Sequence, residues 1–172
     1  MSLTFLTGGI RSGKTSLAVR WARQAGGPVT YIATAEAGDE EMAARIERHR
    51  AERPHGWLTR EAPIEIVPEL SAIAEGAAVL DCLTLWVNNL IHAGCPDGEI
   101  LQRSDEAAGV AGAAPVDLYV VTNEVGSGIV PDNELARRYE DLLGRVNAMW
   151  SRAADVAFLV VAARVTRLES PR

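Results

Sequence analysis

Lysine is nearly missing from this sequence. Of its seventeen basic residues, all but Lys14 are arginine. Other absences are equally informative. No apolar run approaches the ~20 residues that a membrane-spanning helix needs, so no span is expected. Positive charge is not in excess: the formal net charge is −6 and the pI about 5.1. That excludes a general nucleic-acid surface, which is normally basic. Cysteine is limited to Cys82 and Cys95. They form no C-x-x-C and no zinc spacing, and read as free thiols of a reducing compartment. Residues 1–7 carry no basic n-region, so no signal peptide is expected and a cytoplasmic location is. Aromatics make up only 5%, and the tryptophans are too scattered to form a stacking platform. No repeat, low-complexity tract or N-K-x-D guanine-reading motif occurs. What remains is ordinary for a globular chain, with 48% apolar and 23% charged residues, and residues 1–172 read as one domain.

The lone lysine is where such a composition retains what arginine cannot supply, a compact ammonium on a thin stem. It lies in Gly8-Gly9-Ile10-Arg11-Ser12-Gly13-Lys14-Thr15, which satisfies the phosphate-binding pattern G-x-x-x-x-G-K-[ST]. The apolar run 3–7 before it reads as a buried strand. Leu17, Ala18, Trp21 and Ala22 after it fall at helical spacing. In a strand–loop–helix of this kind the glycines let backbone N–H groups turn inward onto phosphate oxygens, and the helix start adds partial positive charge. Lys14 then reaches the β- and γ-phosphates, and the Thr15 hydroxyl binds Mg²⁺. A nucleoside triphosphate is the expected ligand.

Further strands are expected at 29–34, 77–80, 116–121 and 157–161, with a possible short one at 64–67. Helices are expected at 39–53 (closed by Pro54), 70–75, 83–91, near 98–108, and at 133–154. The last should bury Leu135, Tyr139, Leu142, Leu143, Val146 and Trp150 on one side. Alternating strands and helices imply right-handed βαβ crossovers. The expected fold is a P-loop NTPase-type, RecA-like α/β domain, a mostly parallel sheet with helices on both faces. Ligands of such sheets sit at the carboxyl ends of the strands. Lys14, Thr34, Asp81 and Asn123-Glu124 therefore share one rim.

Asp81 ends an apolar strand, where a carboxylate either holds Mg²⁺ or caps the next helix. On the helix 39–53, Met42, Ile46, His49 and Arg53 share a stripe that turns inward. His49 is either a satisfied half-buried histidine or a nucleophile. Arg48, Arg50 and Arg53 either bind phosphate and keep His49 neutral, or pair on a solvated face with Glu41, Glu47 and Glu52. His55 and His92 lack such company and are expected to have no catalytic role. Asn123 and Glu124 either position a phosphate or water, or brace the phosphate loop.

Taken together, Thr7–Thr15, Tyr31–Thr34, Asp39–Ile46 running on to His49-Arg50 and Arg53-Pro54, Trp57, Asp81–Trp86 with Asn88–Leu90, Val121–Pro131, Asn133 and Leu142–Asn147 resemble the bifunctional adenosylcobinamide kinase/adenosylcobinamide-phosphate guanylyltransferase family. The resemblance implies two reactions. ATP or GTP phosphorylates the side-chain hydroxyl of adenosylcobinamide. GMP is then transferred from GTP to adenosylcobinamide phosphate, releasing pyrophosphate. It further implies that His49 carries GMP covalently, and that nucleotide contacts fall on Gly8 through Thr15, Ala33, Thr34, Ala35, Arg50, Ala51, Glu52, Arg53, Glu61 and Asp81. Mg²⁺ held by Thr15 and Asp81 is expected, and the resemblance implies a homotrimer. Residues 96–115 match the family poorly, and Val160–Arg164 lacks the glycine turn usual after its last strand. Two other functions are compatible with the phosphate loop alone: a simple small-molecule kinase, or a nucleotide-switched assembly ATPase.

Overall fold

The computed structural model describes residues 1–36, 40, 44, 46, 47, 50, 54 and 56–170. The elements are β1 (Ser2–Thr7), α1 (Lys14–Ala25), β2 (Val29–Ala33), β3 (Leu58–Glu61), α2 (Ile66–Ser71), β4 (Ala77–Asp81), α3 (Leu83–His92), α4 (Asp97–Gly112), β5 (Asp117–Val121), α5 (Glu134–Ala153), β6 (Val156–Val161) and β7 (Arg164–Leu168). Between β2 and β3, residues 40, 44, 46, 47 and 50 are helical.

The strands form one seven-stranded sheet in the order β3-β2-β4-β5-β1-β6-β7. Every pairing is parallel except β6 with β7. The central strands are apolar on both faces because helices cover both. Alternate residues divide between two cores. Leu3, Phe5, Ile32, Leu80, Leu118 and Val120 face α2 to α5, where Leu70, Trp86, Leu90, Ile100, Leu143, Val146 and Trp150 complete the larger cluster. Leu6, Tyr31, Ala33, Val79 and Val121 face α1, against Leu17, Ala18 and Ala22. Trp21 extends this thinner layer, with its ring 5.2 Å from that of Phe158.

The observed elements depart from expectation at several points. No strand forms at 64–67. Instead α2 begins at Ile66 and ends at Ser71, so the helix expected at 70–75 lies earlier. Ile66 and Leu70 are one helical turn apart and both buried, and Pro68 falls in the first turn, where its missing N–H costs nothing. The helix expected near 98–108 runs on to Gly112. Leu135 is half exposed rather than buried, because the first turn of α5 projects beyond the packed part of the helix.

Two strands were not anticipated, β3 and β7, and they are the two sheet edges. Their side chains are mostly exposed, so neither presents the apolar run that marks the interior strands. The turn before β7 has no glycine. Ala162 and Ala163 adopt φ of 49° and 60°, a left-handed pair that matches the twist of a tight hairpin.

Candidate active site

The phosphate loop lies between β1 and α1, and its shape follows from contacts on both sides. The Glu124 N–H donates to the Gly8 carbonyl at 3.0 Å, and the Ala163 N–H donates to the Ser12 carbonyl at 2.8 Å. The extension of β5 thus holds the start of the loop, and the β6–β7 turn holds its end. Gly8 has φ +149°, and a Cβ there would stand 2.1 Å from the Val160 carbonyl oxygen. Glycine is required because the last parallel strand passes directly behind it. Gly13 enters α1 at φ 99°.

Lys14 is almost wholly buried. Its Nζ donates to the carbonyls of Gly8 and Gly9, both at 2.8 Å, and to Ser12 Oγ at 3.3 Å. Burial lowers its pKa from the ordinary lysine value, opposed by the nearby Cys82 and Asp81. A desolvated ammonium partnered mainly by neutral carbonyls gains strongly from an arriving anion.

Across the loop, the Thr15 hydroxyl lies 3.3 Å from both Asp81 oxygens. The buried Tyr31 phenol donates to Asp81 Oδ2. An oxygen-only pair of one hydroxyl and one carboxylate suits Mg²⁺, which takes its remaining ligands from water and substrate phosphates. Next in the chain, burial pushes the Cys82 thiol up to about 12, reinforced by Asp81. It is a packing residue, not a thiolate.

A cavity of about 340 Å³ opens over this floor, lined on one side by Ile10 to Ser16 and on the others by Ala33, Ala35, Ile46, Arg50, Glu61, Asp81, Cys82, Thr84, Leu85, Val121 and Asn123. Of the residues expected at the site, Gly8 and Gly9 shape the loop from behind. Thr34 is fully buried. Its hydroxyl donates to the Cys82 carbonyl and accepts from the Cys82 N–H, each at 2.7 Å. Thr34 thus places residue 82 and does not face the cavity. Arg50 reaches the cavity paired with Glu61 and Glu47, and Ile46 lines it beside Arg50. His49, Ala51, Glu52 and Arg53 lie outside the described residues, as do Met42, Arg48 and His55. Glu124 receives the Thr7 hydroxyl at 3.4 Å, which is the bracing alternative for that residue.

Sequence reasoning missed Tyr31, Thr84 and Asn89. Tyr31 was legible as a residue of the second strand, within the Tyr31–Thr34 segment of the resemblance, but with no role of its own. Asn89, whose amide donates to the carbonyls of Thr34 and Pro63 at 2.8 and 3.0 Å, lies in a segment that carries the resemblance but had no role assigned to it. Its partners are distant in the chain.

The profile of the family described as cobinamide kinase / cobinamide phosphate guanyltransferase matches residues 4–168. The chain belongs to this family. It is 45% identical over 159 residues to the bifunctional adenosylcobalamin biosynthesis protein CobP of Pseudomonas aeruginosa, covering 90% of this chain and 91% of that protein. It is 39% identical over 173 residues to the bifunctional adenosylcobalamin biosynthesis protein CobU of Salmonella typhimurium, covering 92% and 95%. Among solved structures, the assembled ATPase EscN of the enteropathogenic E. coli type III secretion system superposes with a TM-score of 0.62 at 11% identity, covering 94% of this chain and 43% of EscN. At that identity the likeness concerns the fold alone, and it agrees with a P-loop NTPase-type α/β sheet for this cobinamide kinase family member.

Proposed function

We propose that this protein phosphorylates adenosylcobinamide with ATP or GTP and then converts the product, with GTP, to adenosyl-GDP-cobinamide and pyrophosphate. The observation that carries the reading is the cavity above the phosphate loop, with buried Lys14 on its floor and the Thr15 hydroxyl hydrogen-bonded to Asp81 in its lining, in a chain of this family.

In the kinase step the acceptor hydroxyl oxygen bonds to the γ-phosphorus. The bond to the β–γ bridging oxygen breaks, and the nucleoside diphosphate leaves. Such transfer needs positioning and charge stabilisation more than covalent chemistry. Loop N–H groups and Lys14 supply both. Thr15 and Asp81 would hold Mg²⁺, which offsets the charge gathering on the leaving phosphates.

In the second reaction an imidazole nitrogen of His49 attacks the α-phosphorus of GTP, and pyrophosphate leaves. A phosphate oxygen of adenosylcobinamide phosphate then displaces the histidine, transferring GMP. Splitting one displacement into two is what a neutral imidazole nucleophile accomplishes. His49 has this role by its motif position and its arginine neighbours in sequence. A homotrimer rests on the family resemblance, and a cytoplasmic setting on the free thiols Cys82 and Cys95.

Incubation with α-labelled GTP and Mg²⁺ followed by intact-chain mass spectrometry tests the reading. One GMP per chain is expected, acid-labile and base-stable. The label should be absent from His49→Ala, which keeps cobinamide phosphorylation, whereas Lys14→Ala loses both activities. Labelling of His49→Ala at the parental level would remove the nucleophile assignment.

A further inference from the structure

The cavity has two walls, and the motifs account for only one. Ile10 to Thr15, Ala33, Ala35, Arg50, Glu61 and Asp81 are the residues expected to hold the nucleotide. Thr84, Leu85, Val121 and Asn123 also line the cavity and are not among those expected nucleotide contacts. Phosphoryl transfer needs two substrates in one space, with the entering and leaving oxygens roughly in line through phosphorus. The wall not used by the donor is where the acceptor can stand.

That wall is built with unusual care around one residue. The Asn123 N–H donates to Thr84 Oγ1 at 2.7 Å. The Asn123 carbonyl accepts from Asn147 Nδ2 at 3.0 Å. Asn147 Oδ1 in turn accepts from the Thr122 hydroxyl at 2.8 Å, and the Thr122 and Thr84 hydroxyls lie 3.4 Å apart. Thr84, Thr122 and Asn147 are all buried. They come from α3, the end of β5 and α5. Buried polar groups of this kind are costly unless each is satisfied. Here two of the bonds hold the Asn123 main chain at the cavity edge, and the other two tie their side-chain partners together through Thr122. The network grips the main chain of Asn123 from both sides; the residue lines the cavity, and its side-chain amide has no hydrogen-bond partner among the described residues.

We propose that Asn123, with Leu85 beside it, forms the acceptor subsite of the kinase step. The ligand is an alcohol at the end of an aliphatic arm. Asn123 Oδ1 accepts the hydroxyl hydrogen bond and so aims an oxygen lone pair at the γ-phosphorus, while Leu85 packs along the arm's carbons. An amide cannot remove a proton. The acceptor oxygen forms its bond to phosphorus, the bond to the diphosphate breaks, and the hydroxyl proton is released to water. Asn123 is on this account a catalytic residue, and Thr84, Thr122 and Asn147 are positioning residues acting through it. The inference rests on the kinase reading above.

The test uses the full chain and two variants, Asn123→Ala and Leu85→Ala. GTP binding is followed by displacement of a fluorescent GTP analogue, and phosphorylation by steady-state kinetics with cobinamide and GTP. For Asn123→Ala, GTP affinity should stay within about twofold of the parent while kcat/KM for cobinamide falls on the order of a hundredfold, as when one preorganised hydrogen-bonding group is removed from a reaction centre. For Leu85→Ala, KM for cobinamide should rise with little change in kcat, the sign of lost uniform binding. Parental cobinamide kinetics in Asn123→Ala, or a loss of GTP affinity as large as the loss of kcat/KM, would overturn the subsite. A parent chain that binds GTP but phosphorylates no cobinamide overturns the kinase reading itself, and the subsite with it.

Discussion

The two walls of the cavity are built on opposite plans. The donor wall is mostly one contiguous stretch, Gly8 to Thr15, whose working groups are main-chain amides and a single buried ammonium. Its geometry depends on what glycine permits and on which backbones pass behind it. The acceptor wall is assembled from α3, β5 and α5, and its working group is a side chain fixed by other side chains. A contiguous backbone site survives most changes in its neighbours but not a change at its own glycines. A side-chain site fails through any member of its network, by smaller amounts.

Three substitutions and one control, Gly9→Ala, test that contrast. Gly8→Ala should have the largest effect. The new Cβ would meet the Val160 carbonyl at 2.1 Å at a φ of +149°, so β1 and β6 must separate or the loop must refold. Nucleotide binding should vanish, and stability should fall by roughly 3 kcal/mol or more, as for other severe steric defects. Gly9→Ala, whose Cβ would find nothing within 4 Å, should keep stability within about 0.5 kcal/mol. Chemical denaturation of the pair decides the point. Equal losses would mean that loop entropy, not the strand behind Gly8, sets the requirement.

Thr122→Val comes next. It is nearly isosteric but leaves Asn147 Oδ1, which accepts at 2.8 Å, without its buried donor. Urea denaturation should show a loss of about 1–3 kcal/mol. GTP affinity should hold while cobinamide phosphorylation slows. A matching fall in GTP affinity would show that the two walls are one mechanical unit.

The smallest effect is expected at the hairpin that braces the donor wall. Ala163 sits at φ 60°, a conformation that glycine adopts freely. Ala163→Gly relieves about 1 kcal/mol of backbone strain, most of it offset by the freer unfolded chain. Calorimetry should show Tm rising by about 1 °C. A fall of several degrees would instead assign real packing energy to the Ala163 methyl.

The legible parts of the molecule share one property: their cause is local. The interior strands were evident from apolar runs, and α1 and α5 from helical periodicity. The phosphate loop was evident because glycine, lysine and threonine must occur at fixed spacing for main-chain amides to surround a phosphate. The segment 64–71 was misread because the short stretch Ile64-Glu65-Ile66-Val67 does not distinguish strand from helix. The burial of Ile66 and Leu70 on one face, which decided it, is a tertiary fact. The edge strands β3 and β7 escaped because hydrogen bonding to a neighbour, not burial, makes them strands. Thr34 shows the same limit within the site. Its motif position places it at the rim, yet its hydroxyl turns away to hold residue 82.

Sequence alone determined the kind of ligand, the order of most elements and the family, because each follows from residue types at short, fixed separations. Tertiary structure alone decided which groups complete the site: the Tyr31 phenol on Asp81, the turning of Thr34, and the hold of Thr84 and Asn147 on the Asn123 main chain, with Thr122 bonded to Asn147 behind them. Those contacts join residues 24 to 50 positions apart. No spacing rule operates at that range, since only the packing of the sheet and its helices brings such side chains within hydrogen-bond distance.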